Sequence, residues 1–239
     1  MDEISGIVYY PKDTAVFAIK DEYGFFYKIY LNNNTVIKSW RFDKKRDFEE
    51  LVLHDSIFYV LISNGDIESI KFEGKDSIIT GKSQFPDSSK NKNEFEAMYY
   101  DDSLQMLILL CKNCDGDGSK MVTAWGYNIS TQTYTPVPYS IDPSPIAQKL
   151  GIEKIKLRPS AAAFNPVTNE IYILASLNNL IVITDRNGKF IDLYKLDPSI
   201  YKQPEGIAFT PLGDLIISNE AFENNPANIL YIRNKKKAL

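Results

Sequence analysis

Histidine occurs once in the 239 residues, as His54 in the segment LHDS. That segment reads as a turn between two strands, so a Ser–His–Asp triad would need its one imidazole displaced, and a His-ligated zinc site lacks ligands. Cysteine occurs twice, Cys111 and Cys114 in LLCKNCDGDG. A CxxC pair serves as a disulfide, a redox site or half a zinc site. No second pair completes a zinc site and no βαβ pattern supports a thioredoxin-like one, so two cysteines flanking a hairpin loop is the favoured reading. The 12 glycines form neither GxxxxGK nor GxGxxG, which argues against nucleotide binding. No run of 18 apolar residues is present, and the start MDEISGIVYY lacks the basic and apolar regions of a signal peptide. The chain as given therefore reads as soluble, with no transmembrane segment. A strand pattern from the fourth residue onward leaves room for an upstream leader or anchor. Lys and Arg total 27 against 31 Asp and Glu, for a net charge of −4, and no basic patch interleaves with aromatics. Nucleic acid is not an expected partner.

What is present suits strands. The apolar fraction is 44%, with 15 Tyr and 13 Phe, and only 24% of residues are charged, as in a folded globular chain. Length alone admits one all-β domain or two small ones, and a repeat decides between them. EISGIVYYPKDTAVFAIKDE, DFEELVLHDSIFYVLISNGD, EFEAMYYDDSLQMLILLCKN, RPSAAAFNPVTNEIYILASLNN and QPEGIAFTPLGDLIISNEAF share one form: a small or polar head, an apolar strand, a turn, and a second apolar strand ending in polar residues. Third strands follow in FFYKIYL, IESIKFE, MVTAWGYNI, LIVITDR and ILYIRN, and fourth strands in TVIKSWRF, SIITGKSQF, YTPVPYSI and FIDLYKL. NPVTNE, TPLGD, SNGD and DRNGK supply the turn chemistry between them.

Short antiparallel four-stranded units in series make a β-propeller. The expected fold is all-β: a single five-bladed propeller with blades at about 1–44, 45–91, 92–156, 157–200 and 201–239. The heads Ser5, Glu49, Glu96, Ser160 and Glu205 are 44, 47, 64 and 45 residues apart. The long third spacing holds SPIAQKLGIEK, residues 144–154, which predicts one short helix at the rim. The fifth unit shows only three strands, so closure is expected from the extreme termini or a segment upstream of residue 1, with packing of blade faces as the alternative.

In a propeller the innermost strand of every blade lines the axis, so the five heads form a ring, and three of them are glutamates. Like charges about 5 Å apart repel by about 3 kcal/mol per pair at an effective dielectric of about 20. Protonation, an inserted basic side chain such as Lys20 or Arg158, or a hard cation would offset that. Oxygen donors without His or Cys point to calcium. The expected ligands are Glu49, Glu96, Glu205, Ser5 and Ser160, with Glu220 as an outer candidate. The ends of the second strands bring Asp21, Glu22, Asn64, Asn113, Asn219 and Glu220 towards the same channel. CDGDGSK tempts as an EF-hand, yet places Lys120 where Gly is needed and Gly126 where the bidentate Glu is needed, so it reads as a polar hairpin. The NKKKAL end reads as a solvated basic tail.

EISGIVYY, DFEELVL, FEAMYYD, RPSAAAFNPVTNEIYILAS and QPEGIAFTPLGDLIISNEA resemble the bacterial SdiA-regulated family, through the order Ser, Glu, Glu, Ser, Glu at the strand heads and the ISNE element. The resemblance spans nearly the whole chain. It implies a five-bladed propeller with a calcium site, distantly similar to NHL-repeat proteins, in the periplasm or cell envelope. If that compartment is oxidising, Cys111 and Cys114 could be bridged. No activity is implied by it. Two functions are therefore carried forward. One is a binding or scaffolding module with a structural Ca²⁺, a protein or small-molecule partner at the channel face, and a monomer as the expected state. The other is a calcium-dependent lactonase or esterase, with Glu220, Asp21 and Glu22 as the nearest candidates for its acid or base.

Overall fold

The computed structural model describes residues 3–32, 35–74, 76–86, 93–223 and 225–235. Five antiparallel sheets follow one another along the chain. The first contains β1 (Ile4–Tyr10), β2 (Ala15–Lys20), β3 (Tyr23–Tyr30) and β4 (Thr35–Lys45). The second contains β5 (Phe48–His54), β6 (Ile57–Ile62), β7 (Ile67–Glu73) and β8 (Ser77–Ser83). The third contains β9 (Glu94–Asp101), β10 (Met106–Asn113), β11 (Val122–Asn128) and β12 (Thr133–Ile141), and is followed by the helix α1 (Ser144–Leu150). The fourth contains β13 (Ala161–Asn165), β14 (Glu170–Ala175), β15 (Leu180–Thr184) and β16 (Phe190–Lys195). The fifth contains β17 (Pro204–Phe209), β18 (Leu215–Asn219) and β19 (Asn228–Ile232).

Each sheet is ordered as its strands occur in sequence, and the first strands β1, β5, β9, β13 and β17 pack against one another in a closed ring. This is a five-bladed β-propeller. The expected fourth strand is found in four blades; blade five has three among the described residues. The ring closes where β17 packs on β1, with Ile4, Ile7, Val16, Ala18, Ala208 and Ile216 forming the core between the last and first blades. Among the described residues closure is by packing of blade faces; the extreme termini expected to lend a strand, residues 1–2 and 236–239, lie outside them. The last four residues of NKKKAL lie outside the described residues.

Burial explains the strand patterns. Inner strands are covered on both faces by neighbouring blades, so they are continuous apolar runs, as in MLILL of β10. Outermost strands meet solvent, and SIITGKS of β8 is mostly exposed. Every inter-blade space holds its own apolar cluster. Between blades one and two, the rings of Phe17, Phe26 and Phe58 meet pairwise at 4.7 Å, each burial contributing about 1.5–3 kcal/mol. The helix is shorter than the segment that predicted it: Gly151, at φ 72°, ends it in a left-handed cap after Leu150.

Candidate functional site

In blades two, three and five, the glutamate at the strand head is an extra residue in the strand. The pairing of β5 with β6 runs Phe48↔Ile62, then Glu50↔Leu61, skipping Glu49. β9 pairs Phe95↔Cys111, then Ala97↔Leu110, skipping Glu96. β17 pairs Pro204↔Asn219, then Gly206↔Ser218, skipping Glu205. Such a β-bulge re-aims one side chain out of the alternating pattern. Here it turns all three carboxylates into one axial cavity of about 200 Å³.

That cavity is lined by Ser5, Asp21, Asp47, Glu49, Glu96, Lys112, Ser160, Glu205 and Glu220. All six residues singled out by the sequence as ligands are among them. Of the wider set at the second-strand ends, Asp21 and Glu220 reach the cavity. The others are placed elsewhere: Glu22 pairs with Lys45 at 2.9 Å, Asn64 with Asp66 at 3.1 Å, Asn113 with Lys156 at 2.8 Å, and Asn219 with Asn228 at 3.0 Å. Ser160 spends its hydroxyl locally, donating to Leu174 O at 3.3 Å and accepting from Ser176 N at 3.2 Å. His54 stacks on Tyr100 with ring centroids 3.7 Å apart and lies off the cavity.

Six carboxyl groups thus face one ammonium, that of Lys112. Lys112 forms an ion pair with Glu96 and lies 3.8 Å from Glu94. Of the two cations expected as alternatives, Lys20 pairs with Glu3 at 3.5 Å, and neither it nor Arg158 lines the cavity. Burial, then the charges of Glu96 and Asp47, push Glu49 up to about 9. Burial and Glu220 push Glu205 up to about 8, and burial with Asp21 pushes Glu220 up to about 7. Burial also raises Glu96, against the pull of Lys112. One lysine does not neutralise this cavity.

The oxygen-only donor set suits a hard divalent cation. Ligation would require convergence: among the described residues, the one group of three potential ligands with donor atoms all within 4.8 Å is Cys111, Cys114 and Asp117. That group is not a metal site, because Cys111 and Cys114 form a disulfide. The buried carboxylate of Asp117 accepts from Thr123 N and Oγ1, both at 3.0 Å, so the CDGDGSK hairpin uses it internally.

One layer along the axis, the aligned residues are Gly6, Glu50, Ala97, Ala161 and Gly206. Four are small, and the fifth crosses the space they leave. Glu50, 1% exposed, accepts from Leu51 N at 3.0 Å and, across the ring, from Ala162 N at 3.1 Å, with a further bond from the Met98 amide. These amides lie on the ring of innermost strands, so Glu50 ties three blades together. Beyond it is a second cavity of about 210 Å³, lined by Ile7, Leu51, Tyr99, Tyr100, Phe164 and Phe209 among others. Sequence reasoning missed Asp47, Lys112 and Glu50. Each is adjacent to, or two residues from, a residue it did consider, so the missing information was the bulge.

No family model matches the chain, and no curated protein matches it. Solved structures do match. Glutaminyl cyclase from Myxococcus xanthus is 13% identical with a TM-score of 0.65, over 97% of this chain and 90% of that one. The calcium-binding protein regucalcin from Agrobacterium tumefaciens is 10% identical with a TM-score of 0.54, over 98% and 92%. A luciferin-regenerating enzyme is 10% identical with a TM-score of 0.56, over 98% and 92%. At such identities the likeness is one of fold.

Proposed function

We propose that the chain is a calcium-binding propeller module of the bacterial cell envelope, with the ion held on the axis by Glu49, Glu96 and Glu205 and with Glu220 in its outer shell. One observation carries the reading: three bulges aim three carboxylates into a cavity where six acids meet a single ammonium. Bound calcium would offset their repulsion and link blades two, three and five, which makes its role structural. The calcium-binding neighbour of the same fold supports the choice of ion. The envelope setting rests on the SdiA-regulated resemblance and is supported by the disulfide, which persists in oxidising compartments. The partner, a protein or a small molecule, would meet the channel face.

The test is thermal unfolding of chelator-treated protein with and without calcium. A free ion at about 100 times its Kd stabilises by about 2.7 kcal/mol, or roughly 5–10 °C for a chain of this size. No shift, together with no effect of Glu96→Gln, would overturn the reading.

A second reading is a calcium-dependent lactonase or esterase. Glu220 favours it, since a carboxyl pushed up to about 7 exchanges its proton near neutral pH, as a general acid or base must. The ion would supply Lewis acidity. Turnover across a lactone and ester panel by calcium-loaded protein, lost in Glu220→Gln, would establish it; no turnover leaves the binding module.

A further inference from the structure

We propose that the Cys111–Cys114 disulfide is a reducible latch that sets the cation affinity of the axial cavity by holding Lys112 inside it. This rests on the reading of that cavity as a cation site. Lys112 lies within the four-residue ring that the disulfide closes. Three steps along an extended strand would separate Cα atoms by about 10 Å, whereas those of Cys111 and Cys114 are 5.7 Å apart. The bond therefore keeps the end of β10 folded back on itself. The ladder between β9 and β10 is regular up to Leu110↔Ala97 and then breaks on both sides of Cys111, leaving Glu96 and Lys112 without Cα partners. Freed from the ladder, both side chains point to the axis and pair there. Lys112 thus occupies a carboxylate that a divalent cation needs, and its charge opposes a second cation nearby.

The two sulfurs differ in access. Cys111 is 1% exposed, whereas Cys114 is half-buried and lines a surface groove with Asp115, Met121, Trp125 and Val137. That groove, whose walls are polar and apolar in similar measure, leaves Cys114 open to a dithiol carried on another protein. One thiolate of the dithiol attacks Cys114 Sγ, forming a mixed disulfide and breaking the Cys111–Cys114 bond, and Cys111 leaves as a thiolate that takes up a proton. The second thiol of the donor then attacks its own sulfur in the mixed disulfide and expels Cys114, which is protonated in turn. The donor is oxidised to a disulfide as two electrons and two protons pass to the cysteine pair. With the ring open, Lys112 is released from the axis and Glu96 becomes free to ligate.

The test is a calorimetric calcium titration of the full chain in four states: oxidised, reduced by a dithiol, Cys111→Ser/Cys114→Ser, and Lys112→Met with its disulfide intact. The expected result is about tenfold tighter binding by the reduced and double-serine proteins than by the oxidised one. Lys112→Met should bind at the tight level in both redox states. Equal or weaker binding after reduction, or a redox effect that survives Lys112→Met, would overturn the latch and leave the cation site standing. No binding in any of the four states would instead remove the cation site, and the latch with it. Reduced wild-type protein serves as the check should the double-serine variant fail to fold.

Discussion

Glu205 sits between Pro204 and Gly206, and both neighbours serve its placement. Pro204 and Gly206 are the paired residues on either side of the bulge, and Gly206 lies so close to the next blade that a Cβ would come within 2.8 Å of Ser5 O. Replacing the carboxylate by an amide removes a proposed calcium ligand and a buried like charge together. Glu205→Gln should weaken calcium binding about 10- to 100-fold. At pH 9, where the wild-type side chain (pushed up to about 8) is ionised, the cation-free variant should unfold at a higher urea concentration than cation-free wild type. Calorimetry and urea titration check the two halves separately. Glu50 behaves differently because its partners are amides. Glu50→Ala leaves buried N–H groups of Leu51 and Ala162 unpaired and should cost about 2–4 kcal/mol in urea unfolding, with Glu50→Gln costing less because it keeps an acceptor.

At the level of strands, the sequence reveals elements better than aim. Apolar runs bounded by NPVTNE, TPLGD and DRNGK mark hairpins because turn chemistry is local, and five similar heads mark five blades because each inner strand meets the same surroundings. A bulge leaves no such trace. It is decided by how two backbones pair, so in DFEELVL nothing local says that Glu49 faces the cavity while Glu50 crosses the ring. Lys112 was hidden for the same reason: an even alternation would turn it away from Glu96, and only the broken register brings them together. Close approach of inner strands is likewise invisible until packed. A Cβ at Gly6 would lie 2.4 Å from Leu51 N and 2.6 Å from Glu50 C, both rigid backbone atoms. Gly6→Ala must therefore push β1 from β5, and should destabilise by about 1–3 kcal/mol, read as a lower urea midpoint with an unchanged slope.

Across the whole molecule, the axis concentrates charge that the ring cannot disperse. Glu49, Glu205 and Glu220, pushed up to about 9, 8 and 7, all lie above their ordinary 4.5. Between pH 4.5 and 9 the folded cation-free protein therefore holds more protons than the unfolded chain, so its stability should fall as pH rises through that window. Calcium bound at the proposed site would displace those protons, so saturating ion should flatten the dependence, and calcium affinity should itself rise with pH. Urea midpoints at pH 5, 7 and 9, with chelator and with calcium, check both trends. The account as a whole depends on what lies between the three bulged glutamates, and the anomalous difference map of a calcium-soaked crystal tests it most directly. The expected result is a peak on the propeller axis about 2.3–2.6 Å from carboxylate oxygens of Glu49, Glu96 and Glu205. An axis holding only water, with Lys112 still paired to Glu96 under saturating calcium, would contradict it.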